Sequence, residues 1–387
     1  MTEWKEYKLG EVIKTNVESI GKDYPYSKIL YLDTGSITRN NIDQYQEFEL
    51  DKAPSRAKRL VKQDDIIYSS VRPNQLHYGY ITNPANNLVV STGFVTITCN
   101  KAYIEPKFLY YYLTQENITE YLHSVAEAST SAYPSLKASD IESLYIELPP
   151  LPEQIRIASI LSSIDDKIDL LHRENKTLEA MAETLFRQWF IEEAKEDWEE
   201  GTIADLVEFN PTRKLVKGTI SPFLEMSNLS TSTYAPTYWY DRSYNSGTKF
   251  ENGDTLLARI TPCLENGKTA YVDFLRGNQV GWGSTEFIVM RSKIGLHPFF
   301  SYIIAKHQDF RDFAESCMSG SSGRQRVDVD NLKKYPMAIP DKVTVELFND
   351  RIENIVSKMH NNNKQIQTLI QQRDSLLPKL MSGEVKI

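Results

Sequence analysis

Six basic side chains, Lys52, Arg56, Lys58, Arg59, Lys62 and Arg72, fall between positions 52 and 72 against two acids. They lead into Arg72-Pro73-Asn74-Gln75-Leu76-His77, a run of guanidinium, amide and imidazole groups. Such cations neutralise phosphates, and Arg, Asn and Gln pair bidentately with base edges; the chemistry on offer is recognition of a duplex, not bond making. A second set stands in the other half of the chain. Arg259-Ile260-Thr261-Pro262 takes the place of Ser70-Val71-Arg72-Pro73, and Ser319-Gly320-Ser321-Ser322-Gly323-Arg324-Gln325-Arg326 forms a loop with two arginines and a glutamine. Its counterpart, Ser129-Thr130-Ser131-Ala132-Tyr133, offers hydroxyls and an aromatic ring. The candidates are therefore Arg56, Lys58, Arg59, Arg72, Asn74, Gln75, His77, Ser131 and Tyr133 in one half, and Arg259, Thr261, Ser321, Ser322, Arg324, Gln325 and Arg326 in the other. Any one cluster alone also reads as a solvated charged face. Their matched positions favour a shared task.

Those positions belong to a repeat of the whole chain. Trp4-Lys5-Glu6 recurs as Trp198-Glu199-Glu200, Ser91-Thr92-x-Phe94 as Ser284-Thr285-x-Phe287, and Tyr145 to Pro150 as Tyr335 to Pro340, at offsets of 194, 193 and 190. Val61-Lys62-Gln63-Asp64-Asp65-Ile66-Ile67 resembles the stretch from Phe250 to Leu257, with an acidic turn leading into an apolar strand in each.

The elements that must position the loops carry the strongest match. Leu161, Ile164, Ile168, Leu171, Asn175, Leu178, Ala182, Leu185 and Trp189 step by three and four without a break. Ile352, Ile355, Met359, Asn362, Ile366, Leu369, Arg373, Leu376 and Leu380 repeat those steps at an offset of 191. Apolar residues at most a and d positions predict a coiled-coil seam, with Asn175, Asn362 and Arg373 as polar members that cost stability and can fix register.

The order is globular, helix, globular, helix, with boundaries at 1–150, 151–195, 196–341 and 342–387. Both globular parts read as α+β. Strands are expected near 66–70, 89–99, 255–260 and 287–291, and helices near 107–122 and 298–313. Pro149-Pro150-Leu151-Pro152 stops the first globular part and Pro340 the second. A seam helix of roughly 28 residues spans about 42 Å and delivers the chain to the second globular part. The second helix must run back to pack along it, so the pair is expected to be antiparallel and the two halves related by a pseudo-two-fold axis. Two unlike heads at a fixed separation near one turn of B-DNA would form a ruler for a split, asymmetric site.

Composition narrows the alternatives. With 41% apolar and 25% charged residues the chain is globular. It has no apolar run of 18 residues, and its first residues do not form a signal peptide. Three distant cysteines point to a reducing cytosol, and six histidines without ligand spacing leave no metal site expected. Net charge of −8 disfavours nucleic acid unless the cations are concentrated on one face. Enzyme signatures fail in turn. Gly267-Lys268-Thr269 has Pro262 where a phosphate loop needs glycine, and Asn210-Pro211-Thr212 lacks the aromatic of a methyl-transfer loop. Glu384-Val385-Lys386 has no partner acid. Tyr110-Tyr111-Tyr112, inside an expected helix, reads as core packing with one wet edge, and His297 and His307 as surface or capping residues.

Leu148-Pro149-Pro150-Leu151-Pro152-Glu153-Gln154-Ile155-Arg156-Ile157-Ala158, followed by Ile160-Leu161-Ser162-Ser163-Ile164-Asp165-Asp166-Lys167-Ile168, resembles the central conserved region of type I restriction-modification specificity subunits. Leu185-Phe186-Arg187-Gln188-Trp189-Phe190 closes that region in the family's style, and Leu376-Leu377-Pro378-Lys379-Leu380-Met381-Ser382-Gly383-Glu384-Val385 resembles its C-terminal signature. Asp341-Lys342-Val343-Thr344-Val345 departs from the Pro-x-x-Glu-Gln form. The resemblance implies two target-recognition domains that read a bipartite DNA site and are held apart by antiparallel helices. It also implies two docked adenine methyltransferase subunits and restriction/translocase subunits, with S-adenosylmethionine, ATP and Mg on those partners and no cofactor on this chain. From the residues alone, a non-catalytic two-headed protein-interaction scaffold stays open as the alternative.

Overall fold

The computed structural model describes residues 4–128, 135–236, 238–321 and 323–387. The chain divides into two compact units, one of residues 1–167 with 369–387 and the other of residues 168–368. Each is mixed α and β.

In the first unit, one antiparallel sheet runs Ile13–Thr15, Phe94–Cys99, Ile66–Ser69, Tyr78–Tyr80. A second runs Gln46–Glu49, Lys28–Leu32, Leu88–Ser91, Ala57–Leu60, and its central pair is parallel. The second unit repeats this topology with Val207–Phe209, Phe287–Ser292, Asp254–Ala258, Thr269–Tyr271 and with Tyr240–Ser243, Ile220–Leu224, Gly281–Gly283, Thr248–Phe250. Ile66–Ser69 and Asp254–Ala258 are buried along their whole length. The acidic turn before each strand has a local cause. Asp65 accepts the Lys62 amide at 2.9 Å, and Asp254 accepts that of Glu251 at 2.7 Å. Asp254 is wholly buried between Arg291 and Arg213, at 2.5 and 3.1 Å, whereas Asp65 has the Thr98 hydroxyl at 2.7 Å. Burial pushes both carboxyls above their ordinary range.

The helix expected over 107–122 is two helices, Pro106–Leu113 and Glu116–Glu127, and that expected over 298–313 is Phe300–Lys306 and Gln308–Ser316. Gln115 and His307 adopt extended backbone at the breaks, with ψ of 144° and 134°. Both breaks are polar, Thr114-Gln115-Glu116-Asn117 and Lys306-His307-Gln308-Asp309, and neither contains the proline or glycine that would mark a helix end in the sequence.

The first long helix spans Leu151–Arg187 and the second Lys342–Met381. Gln154, 1% exposed, ties the start of the first to its head: Nε2 donates to Pro149 O at 2.8 Å and Tyr103 O at 3.0 Å, and Oε1 accepts the Glu105 amide at 2.9 Å. That accounts for the Gln of the motif. The second helix, lacking the motif, is capped instead by Asp341, which accepts the Thr344 amide at 3.0 Å and the Trp198 indole N–H at 3.0 Å. Lys195 and these donors hold the Asp341 carboxyl well below the usual range.

Within the second unit the two helices run antiparallel, with Trp189 and Phe190 against Phe348 and Asn175 against Asn362. Ala182, Phe186, Ile352, Ile355 and Met359 join the core of that unit. Within the first unit, Leu161 and Leu380 are buried in one core and Asp165 pairs with Arg373 at 2.9 Å. Of the other seam positions, Ile168, Leu171 and Ile366 are buried, while Ile164, Leu178, Leu185, Leu369 and Leu376 are half-buried.

Candidate nucleic-acid interface

Both heads bring the same two loops together. In the first, Val71 bridges to Ser135, and the Leu136 amide donates to Ser70 O at 2.7 Å. In the second, Ile260 bridges to Arg326, the Val327 amide donates to Arg259 O at 2.9 Å, and that of Thr261 to Gln325 O at 3.0 Å. A third turn closes on each site: Ser70 N donates to Gly93 O at 2.8 Å and Arg259 N to Glu286 O at 3.0 Å. Loops more than 60 residues apart in sequence are thus laid side by side by the central strands that precede them.

In the first head, Arg72, Asn74 and Gln75 are exposed on a turn whose Arg72 backbone is left-handed, φ 47°. Arg56 joins them, since its carbonyl accepts the Thr92 amide at 2.8 Å beside Gly93. Lys58, exposed, and Arg59, half-buried, lie further along a strand that leads away from this turn. Burial lowers the Arg59 guanidinium pKa, and its Nε lacks a partner among the described residues; it packs more than it presents. His77 is half-buried and held by Ile37 O, 2.6 Å from Nδ1. Ser131, Tyr133 and Ser322 lie outside the described residues.

The second head uses its cations differently. Arg326 forms a fork on Glu286, with contacts of 2.7, 2.9 and 3.0 Å. The hydrogen bonds hold the Glu286 carboxyl below its ordinary range and raise the arginine. Arg259 is half-buried and folds back toward Val327 O, 3.4 Å from Nη2, and the Thr261 hydroxyl is buried. Arg324 and Ser321 are exposed, and Gln325 half-exposed. Among the described residues the Arg324 guanidinium has no anionic partner, which leaves it as the cation this loop presents.

Two features escape the sequence reading. Glu286 occupies the variable position of the repeated Ser-Thr-x-Phe motif, where the first half has Gly93; that difference is its visible signal. The hairpin of Ile37–Thr38 and Asn41–Ile42 sits against His77, and its Arg39-Asn40 tip is the short polar turn that could have drawn notice. Of the tyrosine run, Tyr111 is buried and donates to Asp165 at 2.7 Å, while Tyr110 and Tyr112 are half-buried core residues. His297 is buried, not at the surface; its Nδ1 caps by accepting the Phe299 amide at 3.1 Å, and burial lowers its pKa. His307 is half-buried.

No helix among the described residues is long and apolar enough to cross a membrane. None of their His, Cys, Asp and Glu side chains gather into a group that could hold a metal ion.

Across 461 aligned positions covering all of both chains, the sequence is 23% identical to the type I restriction enzyme HindI specificity subunit of Haemophilus influenzae. It is 24% identical to the MjaIX specificity subunit of Methanocaldococcus jannaschii over all of this chain and 97% of that one. The crystal structure of a type I restriction-modification S subunit from M. genitalium matches 98% of this chain and 96% of its own, with a TM-score of 0.53 at 16% identity, a likeness of fold. The sequence profile of the type I restriction modification DNA specificity domain matches residues 1–180 and 195–372. The chain therefore belongs to the type I restriction-modification DNA specificity family.

Proposed function

We propose that each head reads one part of a split duplex target through the loop pair described above, residues 1–150 and 196–341 being the two target-recognition domains. The observation that carries this reading is the repeated juxtaposition of loops, each presenting an exposed arginine with no anionic partner among the described residues: Arg72 in one head and Arg324 in the other. The chain supplies specificity and no catalysis. The long helices set the spacing between half-sites and dock two methyltransferase subunits, to which restriction/translocase subunits add. S-adenosylmethionine, ATP and Mg belong on those partners. Three free cysteines fit a cytoplasmic setting.

The test is duplex binding by the assembled complex over a range of salt. Phosphate neutralisation releases counterions, so affinity should fall steeply as salt rises, and Arg72→Ala and Arg324→Ala should each weaken it. Unchanged affinity in both variants removes the loop assignment. Salt-insensitive association without duplex preference would point instead to a protein-interaction scaffold.

A further inference from the structure

Ile37–Thr38 and Asn41–Ile42 form a short hairpin with Thr38 opposite Asn41, leaving Arg39 and Asn40 as a two-residue turn. Both are left-handed, with φ of 48° and 66°. Such turns favour Asn and Gly, and arginine at the first position is strained. The strain is held in place from outside. The Arg39 amide donates to Leu76 O at 2.8 Å, that of Asn40 to Tyr78 O at 2.9 Å, and Asn40 Oδ1 accepts the Tyr80 amide at 2.7 Å. The approach is close: a Cβ at Gly79 would lie 2.5 Å from Ile37 Cδ1 and 3.2 Å from Asn40 Oδ1.

The strand edge that holds this tip follows directly on the turn bearing Arg72. Leu76 and Gln75 fold back on Pro73 O and Arg72 O, both at 2.9 Å. Arg39 and Arg72 are thus two exposed arginines in left-handed backbone, on turns joined through Leu76. Neither guanidinium has a hydrogen bond or ion pair among the described residues. In the second head, the described residues between Ile220–Leu224 and Tyr240–Ser243 contain a single turn, Met226–Asn228, and no hairpin. A strained, externally braced cation without an internal partner is poised for an external anion.

We propose that the Arg39-Asn40 tip is a further duplex-contacting element, present in the first head only, with Arg39 taking a backbone phosphate beside the one taken by Arg72. This rests on the duplex-reading assignment above. The experiment compares the full chain in its assembled complex with Arg39→Ala, Arg39→Gly and Arg72→Ala, using a mixed-sequence duplex of about four helical turns (~40 base pairs) and a salt titration. Arg39→Ala should weaken binding several-fold and reduce the slope of log K against log salt by about one. Arg39→Gly should weaken binding equally while raising Tm, because glycine relieves the left-handed turn. If Arg72→Ala weakens binding and both Arg39 variants leave slope and affinity unchanged, the hairpin contact is wrong and the loop reading survives. If Arg72→Ala is also without effect, the loop reading falls and takes this inference with it. A Tm left unchanged or lowered by Arg39→Gly would remove the strain on which the argument stands. Should Arg39→Ala fail to fold, the glycine variant carries the binding test alone.

Discussion

Asn362 donates to Asn175 across 2.9 Å in the helix seam, with the two side chains 2% and 6% exposed. The second N–H of Asn362 reaches Glu174 at 3.0 Å, and Asn175 donates to Asn363 at 3.1 Å, so this buried polar layer is satisfied on several sides. Asn362→Leu alone strands the Asn175 carbonyl and should cost about 1–3 kcal/mol. Replacing both by Leu should restore wild-type stability or exceed it, while loosening register. Denaturation midpoints check the first expectation. Cysteine cross-linking along the seam checks the second, since a single unchanged register in the double variant would contradict it.

Glu179, buried on the first long helix, accepts the Tyr302 hydroxyl at 2.6 Å. Burial raises its pKa above the ordinary 4.5, and the Tyr302 hydrogen bond only partly offsets this. A carboxyl raised in the folded state binds its proton more tightly there, so the contribution of Glu179 to stability is greatest at low pH. Its contribution falls as pH rises from the unfolded value through the folded one. Glu179→Gln keeps an acceptor for Tyr302 and should raise Tm at neutral pH while flattening this part of the profile. An unaltered slope between pH 4.5 and 7 would contradict it.

Tyr111 and Tyr302 lie 191 positions apart, and each donates to a carboxylate on the first long helix, Asp165 in one unit and Glu179 in the other. Asp165 also receives Arg373 at 2.9 Å, so Tyr111 ties a head helix to both long helices of its unit. Tyr111→Phe and Tyr302→Phe should each lower stability by about 1.5–3 kcal/mol, the range for hydrogen bonds to charged groups. They should also broaden the half-site spacings the complex accepts, as read by methylation of a library of spacer lengths. Destabilisation with unchanged spacer preference would confine these tyrosines to folding.

Arg324 and Arg326 stand two residues apart but should behave differently. Arg324→Ala removes a cation and should lower the salt slope of duplex binding by about one. Arg326→Ala also exposes the Glu286 carboxylate, 23% exposed even when paired, beside the loop. It should weaken binding more, and adding Glu286→Gln should recover part of the loss. Equal, additive effects in the double-mutant cycle would show that the pair does not couple at the site.

Seven residues inserted into each long helix, in register with the seam, add two turns or about 10.5 Å. Under the proposed function the preferred spacer should lengthen by about three base pairs at ~3.4 Å each. Methylome sequencing reads the spacer directly, and an unchanged one would refute the helices as its ruler.

The repeat, the α+β character of the heads and the two seam helices were legible in sequence because they depend on period. Every third or fourth apolar residue marks a buried helix face, and a second copy 191 positions later confirms the pattern. The Arg-rich and Ser/Gly-rich loops stood out by composition. Their pairing across more than 60 residues did not, since backbone bridges such as Val71 to Ser135 and Ile260 to Arg326 leave no compositional trace.

Sequence by itself determined that this protein is a doubled chain with two heads and two long amphipathic helices, because local periodicity follows from which face each residue must bury. Tertiary structure decided which charges remain available. Arg326 is neutralised by Glu286 and Arg59 is half-buried, while Arg39, Arg72 and Arg324 stay exposed. The reason is physical: a cation's reach depends on the anions and surfaces that folding places beside it, and those neighbours are distant in the chain.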